Sequence, residues 1–251
     1  MPELLIQIQD AIATLTLNRP EKRNALDDNL INSLKDALRE TDKNEALRAV
    51  VICGAGEDFC SGADLSALQK ISQSDVLENW DDAKNLMELF SLIRKVKIPV
   101  IAAVQGRALA GGCGLATACD LVLASASARF GYPEVKIGFV PAMVMVILRR
   151  NVSEKRAFEL ATQGFEFDAE TAKNFGLINQ IFDDEIFAGE VKNYVSVYAK
   201  VSRSAVVLSK TLLYQMDGMT FDSALLAGAD VNTIARMTED CRKGIAKFLK
   251  K

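Results

Sequence analysis

Three short segments contain the residue types that could bind and polarise a ligand. They are Phe59 to Leu65, Gly106 to Leu115 and Ala128 to Gly138. The second contains the run Gly-Gly-Cys-Gly at positions 111–114, where a helix of small residues is predicted to begin. Glycines let the backbone approach a ligand closely, and the first N–H groups of a helix can stabilise an anion. Tight packing of a helix on a strand explains these glycines equally well, and their spacing matches neither a phosphate-binding loop nor a dinucleotide-binding fingerprint.

The sequence contains no histidine, and this restricts the possible chemistry. It excludes Ser-His-Asp triads, Cys-His dyads and histidine-ligated metals. General acid–base catalysis must therefore use Asp, Glu, Lys, Tyr or Cys. Glu134 is a candidate because it lies between Pro133 and Val135 in an otherwise apolar stretch. Burial there would raise the pKa of its carboxyl group toward the range that suits proton transfer.

Composition and charge favour a globular enzyme-sized chain. The 251 residues are 49% hydrophobic and carry a formal net charge of -3, which fits one large α/β domain. A nearly balanced charge argues against a nucleic-acid-binding protein. The start Met-Pro-Glu does not resemble a signal peptide, and the longest apolar stretch, Phe139 to Leu148, is too short to cross a membrane. The five cysteines form no Cys-x-x-Cys pair, which favours reduced thiols and a cytoplasmic location.

The apolar pattern predicts a parallel sheet that helices cover, with a hairpin before it. The hairpin strands are expected over 4–8 and 12–17, and three buried strands over 49–52, 99–104 and 120–124. One amphipathic helix should follow an N-cap at Asp27, and another should span about 75–95. After about residue 153 the pattern is mostly helical, with one short strand over 177–182. From residue 196 onward it predicts helices only, with breaks at Gly218 and Gly228.

The three segments together, in this order, resemble the crotonase family, which is the enoyl-CoA hydratase/isomerase superfamily. The opening Leu17-Asn18-Arg19-Pro20 with Asn24-Ala25-Leu26, and the turn Phe175-Gly176-Leu177-Ile178, extend the resemblance over nearly the whole chain. It implies an α/β fold in which a spiral of ββα units, residues 1–195, contains the CoA and active sites. An all-helical trimerisation region, residues 196–251, would follow. The resemblance also implies a homotrimer or a dimer of trimers.

The resemblance further implies which residues form the site. The backbone N–H groups of Ala63 and Gly111 would hold the oxygen of an acyl-CoA thioester, and Glu134 would be the acid/base. Two fixed amides suit an enolate because they need no reorganisation when charge develops on that oxygen. The CoA moiety would be a carrier on the substrate, with no metal and no other cofactor. The residues that would contact CoA are Asn24, Ala25, Asp64, Leu65 and Lys251.

Several of these positions allow a second interpretation from the residues alone. Asp64 could instead cap the next helix. The basic cluster Arg19, Lys22 and Arg23 could meet CoA phosphates or form a solvated loop. Trp80 is expected to pack between helices. Acyl specificity is expected to depend on 66–80 and 139–147.

The sequence departs from the family pattern at Gly114. Hydratases with two catalytic glutamates carry the second one at this position. The turn from Gly138 to Ala142 resembles bacterial 3-methylglutaconyl-CoA hydratases instead. The sequence therefore predicts reversible hydration of a 2-enoyl-CoA by one glutamate, with a branched chain such as 3-methylglutaconyl-CoA suggested. The alternatives are a Δ3,Δ2-enoyl-CoA isomerase and a non-catalytic acyl-CoA-binding or scaffold protein.

Overall fold

The structure is a computed structural model that describes residues 2–250 and, at Leu65, the backbone alone. Within that range the chain forms two sheets and a covering of helices. The strands are β1 (Leu4–Gln9), β2 (Ile12–Leu17), β3 (Ala49–Gly54), β4 (Val100–Val104), β5 (Arg107–Leu109), β6 (Leu121–Ser125), β7 (Arg129–Gly131), β8 (Glu166–Asp168) and β9 (Gln180–Phe182). The helices are α1 (Asp28–Lys43), α2 (Leu65–Gln73), α3 (Val76–Lys95), α4 (Gly111–Ala118), α5 (Ala142–Asn151), α6 (Glu154–Gln163), α7 (Ala169–Asn174), α8 (Phe187–Val195), α9 (Arg203–Gln215), α10 (Phe221–Met237) and α11 (Glu239–Phe248).

The larger sheet has the order β1-β2-β3-β4-β6-β9. β1 and β2 form the expected antiparallel hairpin, and the other neighbouring pairs are parallel. All five residues of β4 are buried, because apolar side chains on both faces of a parallel strand pack under covering elements. The predicted hairpin, the three buried strands and the parallel arrangement are confirmed.

The smaller sheet, of order β5-β7-β8, was not among the predicted elements. Each of its strands has three residues, which is too short for hydrophobic periodicity to show. Its position matters, because β5 leads into α4 and β7 leads into the 3-10 helix Pro133–Ile137. The segment from Ala128 to Gly138 therefore consists of a strand followed by a helical turn.

The helix predictions are mostly confirmed. Asp27 caps α1 by accepting from the Leu30 N–H at 2.9 Å, and Asp75 caps α3. Trp80 is 65% exposed on α3, so its expected packing between helices is wrong. The predicted break at Gly228 is also wrong, because this glycine lies inside α10. A single glycine costs a helix only about 1 kcal/mol, and the break falls at Thr238, whose side chain caps α11.

A buried ion pair joins α9 to the larger sheet. Lys210 Nζ donates to Asp120 Oδ2 at 2.6 Å and to two backbone carbonyls, and the Tyr214 hydroxyl donates to Asp120 Oδ1 at 2.6 Å. Asp120 Oδ2 also accepts from the N–H of Val100, the first residue of β4.

The predicted boundary between residues 195 and 196 falls where α8 ends, and the division into two domains stays a prediction. No helix among residues 2–250 is both long and apolar enough to cross a bilayer.

We expect Lys210→Met to lower the free energy of unfolding by about 3 kcal/mol, because it leaves the Asp120 carboxylate buried without its counter-charge. Urea unfolding followed by circular dichroism would measure this. Lys243→Met is the matched control, since Lys243 forms an exposed i,i+4 pair with Glu239 on α11. Equal stability of the two variants would contradict the importance assigned to the buried pair.

Candidate active site

The turn before α4 presents an unpaired backbone donor. Ala110, between β5 and α4, has φ 49° and ψ -126°, a conformation that is unfavourable for a residue with a side chain. Its own N–H donates to the Gly131 carbonyl at 2.9 Å, which ties the turn to β7. Gly111 follows as the first residue of α4. Its N–H has no acceptor among residues 2–250, as expected at a helix start.

A second unpaired donor lies at Ala63. The Leu26 N–H donates to the Gly62 carbonyl at 2.7 Å, and the Asp64 N–H donates to the Leu26 carbonyl at 2.9 Å. These two bonds form an isolated parallel bridge between Leu26 and Ala63. The Ala63 N–H is not part of either bond, and it finds no acceptor in the described part of the chain. Ala63 itself is exposed.

Glycines allow the two turns to touch. A Cβ on Gly62, whose φ is +97°, would lie 2.8 Å from Ala110 Cβ and 3.5 Å from the Gly111 nitrogen. A Cβ on Gly112 would lie 2.2 Å from the Cys60 carbonyl oxygen. Distances under 3 Å leave no room for a side chain, so the backbone contact itself requires these two glycines. The sequence-predicted donors Ala63 and Gly111 are thereby brought to adjacent turns.

A buried ion pair holds the Ala63 turn from behind. The Arg19 guanidinium donates to Asp64 Oδ2 at 2.7 Å and to the Ala25 carbonyl at 2.6 Å, and both side chains are buried. Asp64 Oδ1 accepts from the Ser66 N–H, which makes Asp64 the N-cap of α2. Although burial opposes it, the hydrogen bonds from Ser66, Lys22 and Arg19 hold the pKa of Asp64 well below its usual range.

Glu134 is the acid/base candidate. It lies in the 3-10 helix Pro133–Ile137, directly after β7. Its Oε2 atom is buried and has no hydrogen-bond partner among the described residues. Burial raises the pKa of the Glu134 carboxyl, and a hydrogen bond from its own backbone N–H opposes the shift. A cavity of about 1000 Å³ is lined by Glu134 together with Ala63 and Gly111, so the three predicted catalytic groups face one space.

Hydrocarbon fills the place beside Gly114. A Cβ on this buried glycine would lie 2.5 Å from Val144 Cγ2 and 3.1 Å from Phe90 Cζ. A glutamate side chain therefore has no room at position 114 without displacement of α3 or α5. The cavity is consequently lined by one glutamate, Glu134, where a two-glutamate site would have two.

The predicted CoA contacts have other partners within the chain. Asn24 is buried, with its amide bonded to the Ala55 and Asp58 carbonyls, and Ala25 is buried beside Arg19. Asp64 caps α2, which was the second interpretation of this residue from the sequence. Asn24, Ala25 and Asp64 do not line the cavity. The side chain of Leu65, and Lys251 altogether, lie outside the described residues. Their roles toward CoA stay predictions.

Sequence reasoning did not single out the charged residues on the far wall of the cavity. Asp28 of α1, Lys70 of α2 and Asp82 of α3 line it, and Lys136 lines it beside Glu134. Charges of this kind are ordinary on amphipathic helices, so only their shared position in the fold distinguishes them. Arg19 is buried rather than available to phosphates, whereas Lys22 and Arg23 are exposed.

The family model described as enoyl-CoA hydratase/isomerase matches residues 7–251. The chain belongs to the enoyl-CoA hydratase/isomerase family. A Thermus thermophilus protein with the provisional name enoyl-CoA hydratase is 39% identical over 248 residues. These residues cover 98% of each chain. The 2,3-dehydroadipyl-CoA hydratase of Escherichia coli is 32% identical over 252 residues, which cover 100% of this chain and 97% of that protein. The crystal structure of an enoyl-CoA hydratase from Mycobacterium smegmatis matches with a TM-score of 0.95 at 31% identity, covering 100% of this chain and 97% of the other.

These similarities confirm the crotonase resemblance and the crotonase-like α/β fold with its C-terminal helical region. Membership of the hydratase/isomerase family makes this chain an acyl-CoA enzyme. The unpaired amides and the buried carboxylate are then the groups that such chemistry requires. An oxygen placed between two fixed donors can accumulate negative charge, and a carboxylate with a raised pKa can exchange a proton beside it.

We expect Gly114→Glu to lower the free energy of unfolding by at least about 2 kcal/mol and to give no gain in activity, because the new side chain meets Val144 and Phe90. Urea unfolding and a turnover assay would measure both effects. Gly189→Glu on α8 is the control, since a Cβ there meets nothing within 4 Å. A stable Gly114→Glu variant with faster turnover would show that the site accepts a second carboxylate.

Proposed function

We propose that this member of the enoyl-CoA hydratase/isomerase family adds water reversibly to the double bond of a 2-enoyl-CoA, with Glu134 as its single acid/base. The observation that supports this most is that a single cavity is lined by two residues with unpaired amides and by Glu134, a half-buried glutamate whose Oε2 atom has no partner among residues 2–250. The relatives named as hydratases support hydration over double-bond migration.

In the proposed reaction, the thioester oxygen accepts hydrogen bonds from the N–H groups of Ala63 and Gly111. Glu134 takes a proton from water while the water oxygen bonds to the β-carbon, and the electron pair of the double bond moves to the thioester oxygen as an enolate. The protonated Glu134 then delivers its proton to the α-carbon. The carboxylate is regenerated, and one water has been added. One oxyanion donor is typically worth about 3 kcal/mol at the transition state.

The acyl group remains to be assigned. The E. coli relative named for 2,3-dehydroadipyl-CoA supports the general class of 2-enoyl-CoA substrates. The branched candidate 3-methylglutaconyl-CoA stays a prediction from the turn between Gly138 and Ala142. CoA belongs to the substrate in this scheme, and no further cofactor takes part.

The proposed assembly is a homotrimer or a dimer of trimers. Support comes from large apolar side chains that α10 and α11 leave exposed in the single chain. They include Phe221, Leu225, Leu226, Met237 and Phe248. Patches of this kind mark association surfaces. The five cysteines are unpaired, in keeping with the cytoplasmic location expected from the sequence, which stays a prediction.

We expect Glu134→Gln to lower kcat by at least about 100-fold, because the amide cannot accept the proton from water. The assay supplies 2-enoyl-CoA and 3-enoyl-CoA thioesters in heavy-oxygen water and follows the acyl group by mass spectrometry. Heavy oxygen in a hydroxyacyl-CoA, lost in Glu134→Gln and kept in the exposed control Glu185→Gln, would support a hydratase. Double-bond migration without oxygen uptake would make the enzyme an isomerase. Acyl-CoA binding without turnover in the wild type would favour a binding protein.

The raised pKa of Glu134 also predicts the pH dependence. Hydration needs the carboxylate form, and burial raises the pKa of Glu134 above the usual ~4.3 of a glutamate. Therefore kcat/KM for hydration should rise with pH through that raised pKa and become constant above it. A pH–rate profile over the acidic and neutral range measures this. A profile that is already constant below pH ~4.3 would contradict the buried, unpartnered state of the carboxylate.

A further inference from the structure

The far wall of the cavity carries a fixed group of charges. Asp28, Lys70 and Asp82, from α1, α2 and α3, line it and form the charged wall. Lys70 Nζ donates to Asp28 Oδ2 at 3.0 Å. The charged wall thus contains two carboxylates and one ammonium group, a net charge of one negative unit.

A hydrogen-bonded chain holds Asp28 and Lys70 in place. The Asn85 side-chain amide donates to Asp28 Oδ1 at 3.1 Å, and its oxygen accepts from the buried Lys35. Both carboxylate oxygens of Asp28 are therefore occupied, and the hydrogen bond from Lys70 lowers its pKa. The positive charge of Lys70 is paired with Asp28, and both side chains remain exposed to solvent.

Asp82 is the uncommitted member of the charged wall. It is half-buried and has no hydrogen-bond or ion-pair partner among residues 2–250. Burial, followed by the negative charge of Asp28, raises the pKa of Asp82, and the positive charge of Lys70 opposes this shift. Asp82 lines the cavity together with Ala83 and Leu86, which are apolar. A ligand group that enters this region meets an unbalanced negative charge.

The charged wall lies away from the reacting atoms. Lys70 is six residues beyond the N-cap Asp64, which corresponds to about 9 Å along the axis of α2 from the turn that carries Ala63. The phosphates of CoA are anions, so this wall disfavours them. Ser61 lines another part of the cavity, and its N–H bonds to the carbonyl of Arg23, whose exposed side chain pairs with Asp58. The acyl chain is therefore the part of the substrate that extends toward α3.

From this arrangement we infer that Asp82 makes the enzyme selective for 2-enoyl-CoA substrates whose acyl chain ends in an uncharged group, against those that end in a carboxylate. This inference rests on the proposed function and specifies its substrate class. A distal carboxylate would face the unpaired Asp82 at close range, and like charges in a partly buried site repel strongly. It disfavours the substrate named for the E. coli relative, which ends in a carboxylate. It equally disfavours the branched candidate 3-methylglutaconyl-CoA, whose acyl chain also ends in a carboxylate.

The test uses two substrates that differ only at the end of the chain, trans-2-hexenoyl-CoA and 2,3-dehydroadipyl-CoA. We expect the wild type to have the higher kcat/KM for hexenoyl-CoA. Asp82→Asn should raise the ratio of dehydroadipyl-CoA to hexenoyl-CoA by about tenfold, which equals about 1.4 kcal/mol. Asp81→Asn removes the same charge one residue away, outside the cavity lining, and should leave the ratio unchanged.

A binding measurement separates this inference from the proposed function. Calorimetry with hexanoyl-CoA and adipyl-CoA, which cannot be hydrated, should show weaker binding of adipyl-CoA to the wild type and a smaller difference in Asp82→Asn. This result would support the inference even if no enoyl-CoA were hydrated. Equal or tighter binding of adipyl-CoA to the wild type would overturn it. A preference of the wild type for dehydroadipyl-CoA that disappears in Lys136→Met would also overturn it. In that case Lys136, on the Glu134 side of the cavity, would bind the carboxylate at the end of the acyl chain.

Discussion

The contact between two backbone turns, residues 60–63 and 109–112, is the constraint on which the candidate site depends. At Gly112 the contact leaves 2.2 Å between a hypothetical Cβ and the Cys60 carbonyl oxygen. Main-chain atoms thus hold the two N–H donors next to each other, and the ion pair of Arg19 and Asp64 supports the Ala63 turn. The unfavourable conformation of Ala110 costs of order 1–3 kcal/mol. Two hydrogen bonds hold it in place. The Ala110 N–H donates to the Gly131 carbonyl, and the N–H of Leu109, the last residue of β5, donates to the Cys60 carbonyl.

The same packing accounts for a site with one carboxylate. Phe90 and Val144 close against Gly114, so the wall behind the reacting atoms is hydrocarbon. Hydrocarbon walls strengthen every remaining electrostatic interaction because they exclude water. They also disfavour the ionised form of Glu134, which is consistent with its raised pKa. A single carboxylate in such surroundings is a stronger base than an exposed one, which partly compensates for the absent second glutamate.

Much of the larger sheet could be predicted from the sequence, because continuous apolar strands such as β4 and the leucine spacing of α1 leave a clear period. The smaller sheet could not, since three residues show no period, yet that sheet brings Gly111 and Glu134 together. The roles of Ala63, Gly111 and Glu134 came from the family resemblance, whereas the glycines and the apolar setting of Glu134 only made them plausible. The position of Asp82 depends on tertiary packing, and no local pattern marks it.

The buried pair of Lys210 and Asp120 bears on how the chain reaches its native state during synthesis. Asp120 is bonded to the start of β4, in the middle of the larger sheet, while its counter-charge is on α9. A ribosome-bound chain that has been synthesised as far as β9, the last strand, still lacks Lys210. The Asp120 carboxylate in its sheet therefore has no counter-charge. The larger sheet therefore gains this ion pair only after α9 has been synthesised. Helix α9 thus supplies the counter-charge that the core needs, and it does not simply attach to a core that is already complete.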